Sequence, residues 1–360
     1  MAAGTRTPWW AWAWPLGAWV ILLMTTIVGT SGIVAVAAGA ALIAAVFAAV
    51  YHAEVVAHRI GEPFGTLVLA VAVTVIEVAL IVSVMVGAPA DNAGLARDTV
   101  FAAVMIVCNG IVGLCLLAGG VRHHEQDFKV EGASAALAVL AALTSLTLIL
   151  PNVTTTTPGP AFSTSQLVFA GAFSLVLYGS FVFVQTVRHR DYFLPADDGS
   201  EDAHVPPPSR RTALISAGLL LVTLVAVVGL AKALTPTLEM GVAWLDAPKA
   251  VVGIVIAALV LLPEGLAALK AAHANRLQTS LNLALGSALA SIGLTIPAVA
   301  VVSIALRQPL DLGLGMKEVV LLAVTLLVGV VTLGTGRTTV LQGIVHLAIF
   351  AAFLFLAVVP

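Results

Sequence analysis

Long runs of apolar residues, separated by short polar turns, fill almost the whole of this 360-residue chain. A helix needs about 20 largely apolar residues to cross a bilayer, and eleven segments of the chain meet that requirement. Their approximate bounds are residues 12–30, 32–53, 64–88, 99–119, 133–151, 164–188, 212–234, 249–271, 279–305, 317–334 and 338–359. The pattern therefore predicts an all-α integral membrane protein with about eleven transmembrane helices.

The order of these spans indicates an internal duplication. If the first span is set aside, five spans precede the one long polar segment and five follow it. A unit with an odd number of spans reverses its orientation when it is repeated, as in the inverted repeats of transporters. We therefore predict an extra N-terminal helix at residues 1–31, a first five-helix repeat at 32–188, a linker at 189–211 and a second, inverted five-helix repeat at 212–360.

The predicted linker contains five acidic residues, a run of prolines and few apolar residues. We interpret it as a solvated cytoplasmic tether between the two repeats. The alternative is a weak regulatory patch for a divalent cation, whose oxygen ligands would come from Asp197, Asp198, Glu201 and Asp202.

Composition supports the membrane interpretation. Hydrophobic residues make up 60% of the chain and charged residues 9%, whereas a globular domain carries about 25% charged residues. The net charge of −2 and the lack of a basic block argue against a nucleic-acid partner and leave the lipid bilayer and small ions as the expected partners. Cys108 and Cys115 lie within one span, so we interpret them as packing residues.

Positive charges predict the orientation in the membrane. In an eleven-span arrangement, eleven Lys and Arg residues fall on the N-terminal side and five on the other. Because cytoplasmic loops carry the excess of Lys and Arg, we expect a cytoplasmic N-terminus and an external C-terminus. The tryptophan-rich run at residues 9–14 occupies the place of a signal peptide's charged region, and it is typical of an interfacial aromatic belt instead.

Two glutamates lie inside these spans. Glu77 is in the second span of the first predicted repeat, and Glu264 is in the second span of the second. A carboxylate at this depth costs roughly 2.5 kcal/mol or more, so it normally faces a partner, an ion path or a proton relay. Their equivalent positions predict that both acids serve one cation and proton site.

Pro263 directly precedes Glu264. Proline lacks the backbone N–H and its ring clashes with the preceding turn, so we expect a helix break that exposes carbonyl oxygens beside the carboxylate. The alternative is a simple kink that aids packing.

Neutral polar residues add further candidates for the site. Ser287 and Ser291 are four residues apart in the ninth span, which puts both hydroxyls on one wall of a helix. Serines in membrane helices also commonly bond their own backbone, which is the competing interpretation. Asn282 lies on a second stripe of that span, among small residues that favour close helix contact. Asn109, flanked by Gly110 and Gly113, is the matching polar group in the first repeat.

The predicted inward polar set therefore contains two carboxylates with amide and hydroxyl oxygens, and we expect no histidine in it. Hard oxygen ligands with two negative charges suit Ca²⁺ or Na⁺ better than zinc or copper. The same carboxylates can be neutralised by protons when no cation is bound. Competition between a cation and protons for one site is the chemical basis of antiport, and we expect no resident cofactor.

Three segments also resemble a known family. They are GEPFGTLVLAVAVTVIEVALI, NGIVGLCLLAGGVRHHEQDF and LLPEGLAALKAAHANRLQTSLNLALGSALASIGLTIPAVA. They are similar to the paired signature regions of the calcium:cation antiporter superfamily, specifically its bacterial ChaA type. One departure is that Val75 and Ile76 precede Glu77, where the commoner pattern has a small polar residue and Pro or Thr.

The resemblance implies a function. It implies exchange of cytoplasmic Ca²⁺, or of Na⁺ or K⁺, for external protons across the bacterial inner membrane. Glu77 and Glu264 would be the central acids that bind the transported cation. Asn109, Ser287 and Ser291 would be neighbours of the ion.

Other functions stay open. A Na⁺(K⁺)/H⁺ antiporter that does not transport Ca²⁺ is the first alternative, and a cation channel is the second, because acidic rings also select cations. A membrane-embedded hydrolase is less favoured, since the cluster His123, His124 and Glu125 lacks the HExxH spacing of a metalloprotease. We therefore expect a transporter rather than an enzyme, and the sequence leaves its oligomeric state open.

Overall fold

The computed structural model describes residues 7–61, 64–87, 93–194, 207–244, 248 and 250–359. The described chain is almost wholly helical, with one short antiparallel pair of strands, β1 (Gln126–Asp127) and β2 (Arg337–Thr338). The α-helices are α1 (Trp9–Val28), α2 (Ile33–Ile60), α3 (Phe64–Gly87), α4 (Leu95–Met105), α5 (Val112–His123), α6 (Val130–Thr144), α7 (Thr164–Phe183), α8 (Arg210–Trp244), α9 (Ala250–His273), α10 (Leu277–Leu306), α11 (Met316–Leu333) and α12 (Val340–Val358).

Among the described residues, eleven helical segments are long and apolar enough to cross a membrane, which confirms the predicted number. Helices α4 and α5 form a single span, Leu95–His123, because a π-helical segment at Ile106–Ile111 joins them without a break. Two further π segments, Ser145–Ile149 and Val184–Arg188, continue α6 and α7. The chain is thus an integral membrane protein of apolar helices.

The described helices form two compact units. Unit 1 contains α1, α2, α8 and most of α3, and unit 2 contains the other helices and the strand pair. Within unit 1, α2 packs against both α1 and α8. Helices α2 and α8 are the first spans of the two predicted repeats, so unit 1 combines helices from both repeats. The compact units therefore do not coincide with the predicted repeats, whose boundaries stay a prediction.

A proline in α1 accounts for the hydrogen bond of a buried histidine in unit 1. Pro15 lies inside α1, and its missing N–H leaves the carbonyl of Ala11 without its helical donor. His52 of α2 is fully buried, and its Nε2 lies 2.9 Å from that carbonyl oxygen. Since a carbonyl only accepts, Nε2 carries a proton and donates. His52 therefore satisfies the backbone group that the proline exposes.

Glycines let two helices of unit 2 approach closely. A Cβ added at Gly343 of α12 would lie 2.5 Å from the Leu117 nitrogen and 2.9 Å from the Gly113 oxygen, both on α5. A Cβ added at Gly113 would lie 3.1 Å from the Cβ of His346. Small residues permit this close contact between membrane helices. We call the contact of α12 with α5 and the Ile106–Ile111 segment the glycine seam.

Candidate cation and proton site

Glu264 lies on α9 and is half-buried. This helix packs against α10 and against the whole span formed by α4, the π segment and α5. A Cβ added at the next residue, Gly265, would lie 3.1 Å from the Cδ1 of Ile111, the last residue of the π segment. The backbone beside Glu264 is therefore in close contact with the segment that carries Asn109.

Helix α9 is continuous through Pro263. It runs from Ala250 to His273 with the proline inside it, so the expected helix break is wrong for this structure. Proline removes one hydrogen bond, the one to the carbonyl four residues earlier, and membrane helices tolerate this loss where neighbouring helices pack around them. The freed carbonyl belongs to Leu259, about one turn before Glu264.

The ends of α5 and α9 lie together and give a common reference for depth. His123 Nε2 donates to the carbonyl oxygen of His273 at 3.0 Å. At 1.5 Å rise per residue, Glu264 lies about 14 Å from this end and Asn109 about 21 Å, before allowing for tilt. Ser287 lies about 15 Å, and Ser291 about 21 Å, from the start of α10 at Leu277.

These depths place the unit 2 candidates in two layers. The turn between α9 and α10 spans only three residues, 274–276, so both helices are measured from the same end. Glu264 and Ser287 then share one layer, while Asn109 and Ser291 share another about one to two turns deeper. Because α9 packs against both α10 and the π segment, three of the elements that bear the predicted residues are direct neighbours.

The two serines do not bond their own helix. Ser291 is 3% exposed and Ser287 is half-buried, and neither hydroxyl donates to a carbonyl of α10, every residue of which the structure describes. Other hydroxyls in the spans do donate to the carbonyl four residues earlier, for example those of Ser83, Thr99 and Ser174. Within the described residues, the hydroxyls of Ser287 and Ser291 thus lack the backbone bonds that serines in membrane helices commonly make, and their role as cation ligands stays a prediction.

Asn109 is fully buried in the π segment and bonds two other helices. Its Nδ2 donates to Thr325 Oγ1 of α11 at 2.8 Å. Its Oδ1 lies 3.2 Å from Nδ1 of His346 on α12. Single π turns inside α-helices occur frequently at functional sites. Asn109 thus has two polar partners that its position in the sequence did not indicate.

His346 corrects one expectation. It is 1% exposed within the last span, so the prediction that the inward polar set has no histidine is wrong. A signal was available, because an ionisable residue in the apolar run VLQGIVHLAIF is costly in a membrane and is a functional candidate. Thr325 offered no comparable signal, since threonines occur in many of these spans.

Asn282 lies apart from the other candidates on α10. Its Nδ2 donates to the carbonyl oxygen of Phe193 at 2.5 Å, and its Oδ1 accepts from Gln278 Nε2 at 3.0 Å. It is about 8 Å from the start of α10, roughly half the depth of Ser287. Asn282 therefore links the first turns of α10 to the segment that follows α7.

Glu77 lies on α3 in unit 1 and is 1% exposed. It shares a buried face with Ile76, Leu80 and Ile81, which are also buried, whereas Val75 is 43% exposed. No proline interrupts α3. Glu77 is therefore an acid held inside an apolar helix, as predicted from the sequence.

The acidic residues of the linker, Asp197, Asp198, Glu201 and Asp202, lie outside the described residues. Within the described ranges, no group of three or more His, Cys, Asp or Glu side chains is arranged to hold a metal ion.

A cavity of about 150 Å³ lies in unit 2 between α4, α9, α11 and α12. Asp98, Lys317 and Glu318 contribute charged groups to it, and Asp98 accepts from Arg97 Nε at 2.8 Å. Phe101 and Phe353, which also line it, form an edge-to-face pair with ring centroids 5.6 Å apart. Leu321, which lines the cavity, lies one turn before Thr325 in α11.

The chain is similar to known membrane transport proteins over most of its length. The family model described as sodium/calcium exchanger protein matches residues 30–187 and 215–359, which together are most of the chain. A protein of Sinorhizobium fredii whose name describes an ionic transporter, y4hA, is 53% identical over 361 residues, covering 99% of this chain and 97% of that protein. The sodium-potassium/proton antiporter ChaA of Escherichia coli is 37% identical over 316 residues, covering 87% and 85%.

A solved structure has the same fold. The selenium-substituted Ca²⁺/H⁺ antiporter protein YfkE superposes with a TM-score of 0.72, covers 98% of each chain and is 16% identical. At this identity, the similarity shows the fold alone.

Proposed function

The chain belongs to the sodium/calcium exchanger family and is a membrane transporter of cations, and we propose that it exports Ca²⁺, or Na⁺ or K⁺, in exchange for protons by alternating access. Family membership confirms its resemblance to the calcium:cation antiporter superfamily. The observation that carries the proposal is the pair of glutamates at equivalent positions in two apolar spans, one fully and one half buried.

The proposal gives each polar residue a role. Glu77 and Glu264 bind the cation when ionised and release it when protonated, so a cation and protons alternate on the same carboxylates. Asn109, Ser287 and Ser291 supply neutral oxygens. The depths of Glu264 and Ser287, and of Asn109 and Ser291, support this assignment within unit 2. The inclusion of Glu77 rests on its position in the sequence and its burial.

Helix contacts in unit 2 support the inverted repeats. Helix α7, the fifth span of the first predicted repeat, packs on α10, the third span of the second. Helix α12, the fifth span of the second repeat, packs on α5, which belongs to the third span of the first. A two-fold relation between repeats makes these two contacts equivalent. Transporters built this way move ions by alternating access around a midplane site.

A second candidate function is Na⁺(K⁺)/H⁺ antiport without Ca²⁺ transport. It is favoured by the 37% identical relative, which is named a sodium-potassium/proton antiporter. Three oxygen-bearing side chains and two acids can hold either kind of cation, because both Ca²⁺ and Na⁺ prefer oxygen ligands. Proton flux driven separately by Ca²⁺, Na⁺ and K⁺ in everted vesicles distinguishes the two functions.

We predict that Glu77→Gln and Glu264→Gln each abolish cation/proton exchange while the protein still inserts. Glutamine resembles a protonated carboxyl in shape but cannot release a proton. At about 4 Å and an effective dielectric near 20, each lost unit charge removes roughly 4 kcal/mol of attraction per cation charge before desolvation. Dissipation of a pH gradient on cation addition, in vesicles matched for protein content, measures the effect.

Glu131→Gln is the matched control, because Glu131 is exposed in the first turn of α6. It should transport like the parent protein. Glu→Asp at either buried position should retain partial activity, since the charge stays and only its reach shortens. Parental transport by Glu264→Gln would contradict the proposed mechanism.

We further propose that the protein lies in the bacterial inner membrane with its N-terminus in the cytoplasm and its C-terminus outside. The support is the excess of Lys and Arg on one side, eleven against five. A cysteine added after Pro360 should react with an impermeant thiol reagent on intact cells, and Ser200→Cys should not. Native Cys108 and Cys115 are buried, so their background should be low. The reverse labelling would overturn the orientation.

A further inference from the structure

The side chain of Asn109 is held at both ends by residues from distant parts of the chain. Its Nδ2 contacts Thr325 Oγ1 at 2.8 Å, and its Oδ1 contacts His346 Nδ1 at 3.2 Å. All three residues are at most 1% exposed. Buried side-chain bonds of this kind fix the orientation of the group they hold, because breaking them leaves polar atoms unsatisfied.

The proton of Thr325 decides which end of the amide faces α11. The Thr325 hydroxyl donates to the carbonyl oxygen of Leu321 at 2.7 Å, one turn earlier in the same helix. Because a hydroxyl has one proton, its oxygen is then an acceptor toward Asn109. The Asn109 nitrogen therefore points to α11, and its oxygen points to α12.

His346 holds the other end of the amide. Since Asn109 Oδ1 only accepts, Nδ1 of His346 carries the proton of that hydrogen bond. The glycine seam allows His346 to approach Asn109, because Gly113 has no side chain and the Cβ of His346 packs directly against its Cα. A carbonyl oxygen has two lone pairs, so the bond from His346 leaves one of them on Asn109 for a cation.

We propose that Thr325 and His346 are positioning residues for Asn109: together they present its oxygen, rather than its NH₂ group, to the transported cation. The inference rests on the proposed function, in which Asn109 supplies a neutral oxygen ligand. If either partner is lost, the amide can rotate and turn its positive NH₂ edge toward the ion. The consequence is a weaker apparent affinity for the cation in a protein that still folds and transports at high cation concentration.

The test measures KM and the maximal rate for Ca²⁺ and for Na⁺ in everted vesicles. Thr325→Val keeps the shape of the side chain and removes the oxygen, and we expect KM to rise about 10-fold or more, as for other residues that orient metal ligands. Thr325→Ser restores the hydroxyl and should restore KM. His346→Leu should also raise KM, and His346→Gln, whose amide can donate, should raise it less.

Thr144→Val is the matched control. Thr144 is equally buried, and its hydroxyl bonds carbonyls of its own helix, those of Leu140 and Ala141. It should leave KM unchanged. A similar rise in KM for Thr144→Val and Thr325→Val, or equal effects of the Val and Ser variants of Thr325, would show a general packing effect and overturn the inference.

A double-mutant cycle tests whether the effect passes through Asn109. Asn109→Ala should raise KM by itself, and adding Thr325→Val or His346→Leu should then change KM little, because coupled residues are not additive. Additive effects would overturn the positioning role. An unchanged KM in Asn109→Ala would also overturn it. The antiport proposal would still be judged separately by the Glu77 and Glu264 variants.

Discussion

The two units each bury a histidine inside an apolar span, and the two histidines have different partners. His52 is 0% exposed and bonds a backbone carbonyl that Pro15 leaves without a donor. His346 is 1% exposed and bonds the side chain of Asn109, a proposed ligand, in addition to a backbone hydrogen bond at Cys108 of the π segment. An ionisable residue at bilayer depth is a functional candidate by default. A polar side chain among its hydrogen-bond partners, rather than burial alone, therefore marks a membrane histidine as a candidate for a site.

The helix contacts around the two histidines differ as well. Near His52, α1 and α2 meet through large rings, with Trp10 and Tyr51 at 5.0 Å between centroids. Near His346, α12 meets α5 through the glycine seam, where backbones approach directly. Aromatic side chains can shift to accept a change in a neighbouring residue, whereas backbone atoms in contact cannot. The region around His346 should therefore be the less tolerant of substitution.

The largest effect should come from Gly343→Val in the glycine seam. The new Cβ would overlap the Leu117 nitrogen and the Gly113 oxygen, so α12 must move away from α5. Overpacking of this kind typically costs roughly 1–3 kcal/mol, and the shift should also separate His346 from Asn109. We expect loss of transport and a lower thermal midpoint in detergent, measured on purified protein.

Gly179→Val is the control for that substitution, because a Cβ at Gly179 of α7 meets no atom within 4 Å. Both changes place the same β-branched residue in a membrane helix of unit 2. Parental transport by Gly343→Val, or equal loss in both variants, would remove the distinction drawn between the two regions.

A smaller effect should follow His52→Phe. The Ala11 carbonyl would lose its donor, and hydrogen bonds between membrane helices contribute about 0.6 kcal/mol on average. We expect a modest fall in the thermal midpoint with KM for cations unchanged. Adding Pro15→Ala restores a backbone N–H one turn from Ala11 and should recover the lost stability. A changed KM in His52→Phe, or no recovery in the double variant, would contradict the structural role.

Features that depend on short stretches of chain could be predicted from the sequence. Eleven apolar runs specify eleven spans, because each run alone is long enough to remove its backbone from water and satisfy it internally. The same local reasoning located Glu77 and Glu264, since a carboxylate in such a run is conspicuous. The signature segments were sufficient to indicate the family, which the comparisons confirmed.

Which polar groups meet depends on the tertiary structure. Thr325 and His346 are 216 and 237 positions from Asn109, and no local pattern relates them. Continuity of α9 through Pro263 was likewise decided by packing against neighbouring helices, although the proline favours a break. The physical reason is that the formation of a membrane span depends on the hydropathy of that one segment and on its contact with lipid. Hydrogen-bond partners inside a bundle depend instead on how closely helix backbones approach, and in unit 2 that approach is set by glycines on both sides of the contact.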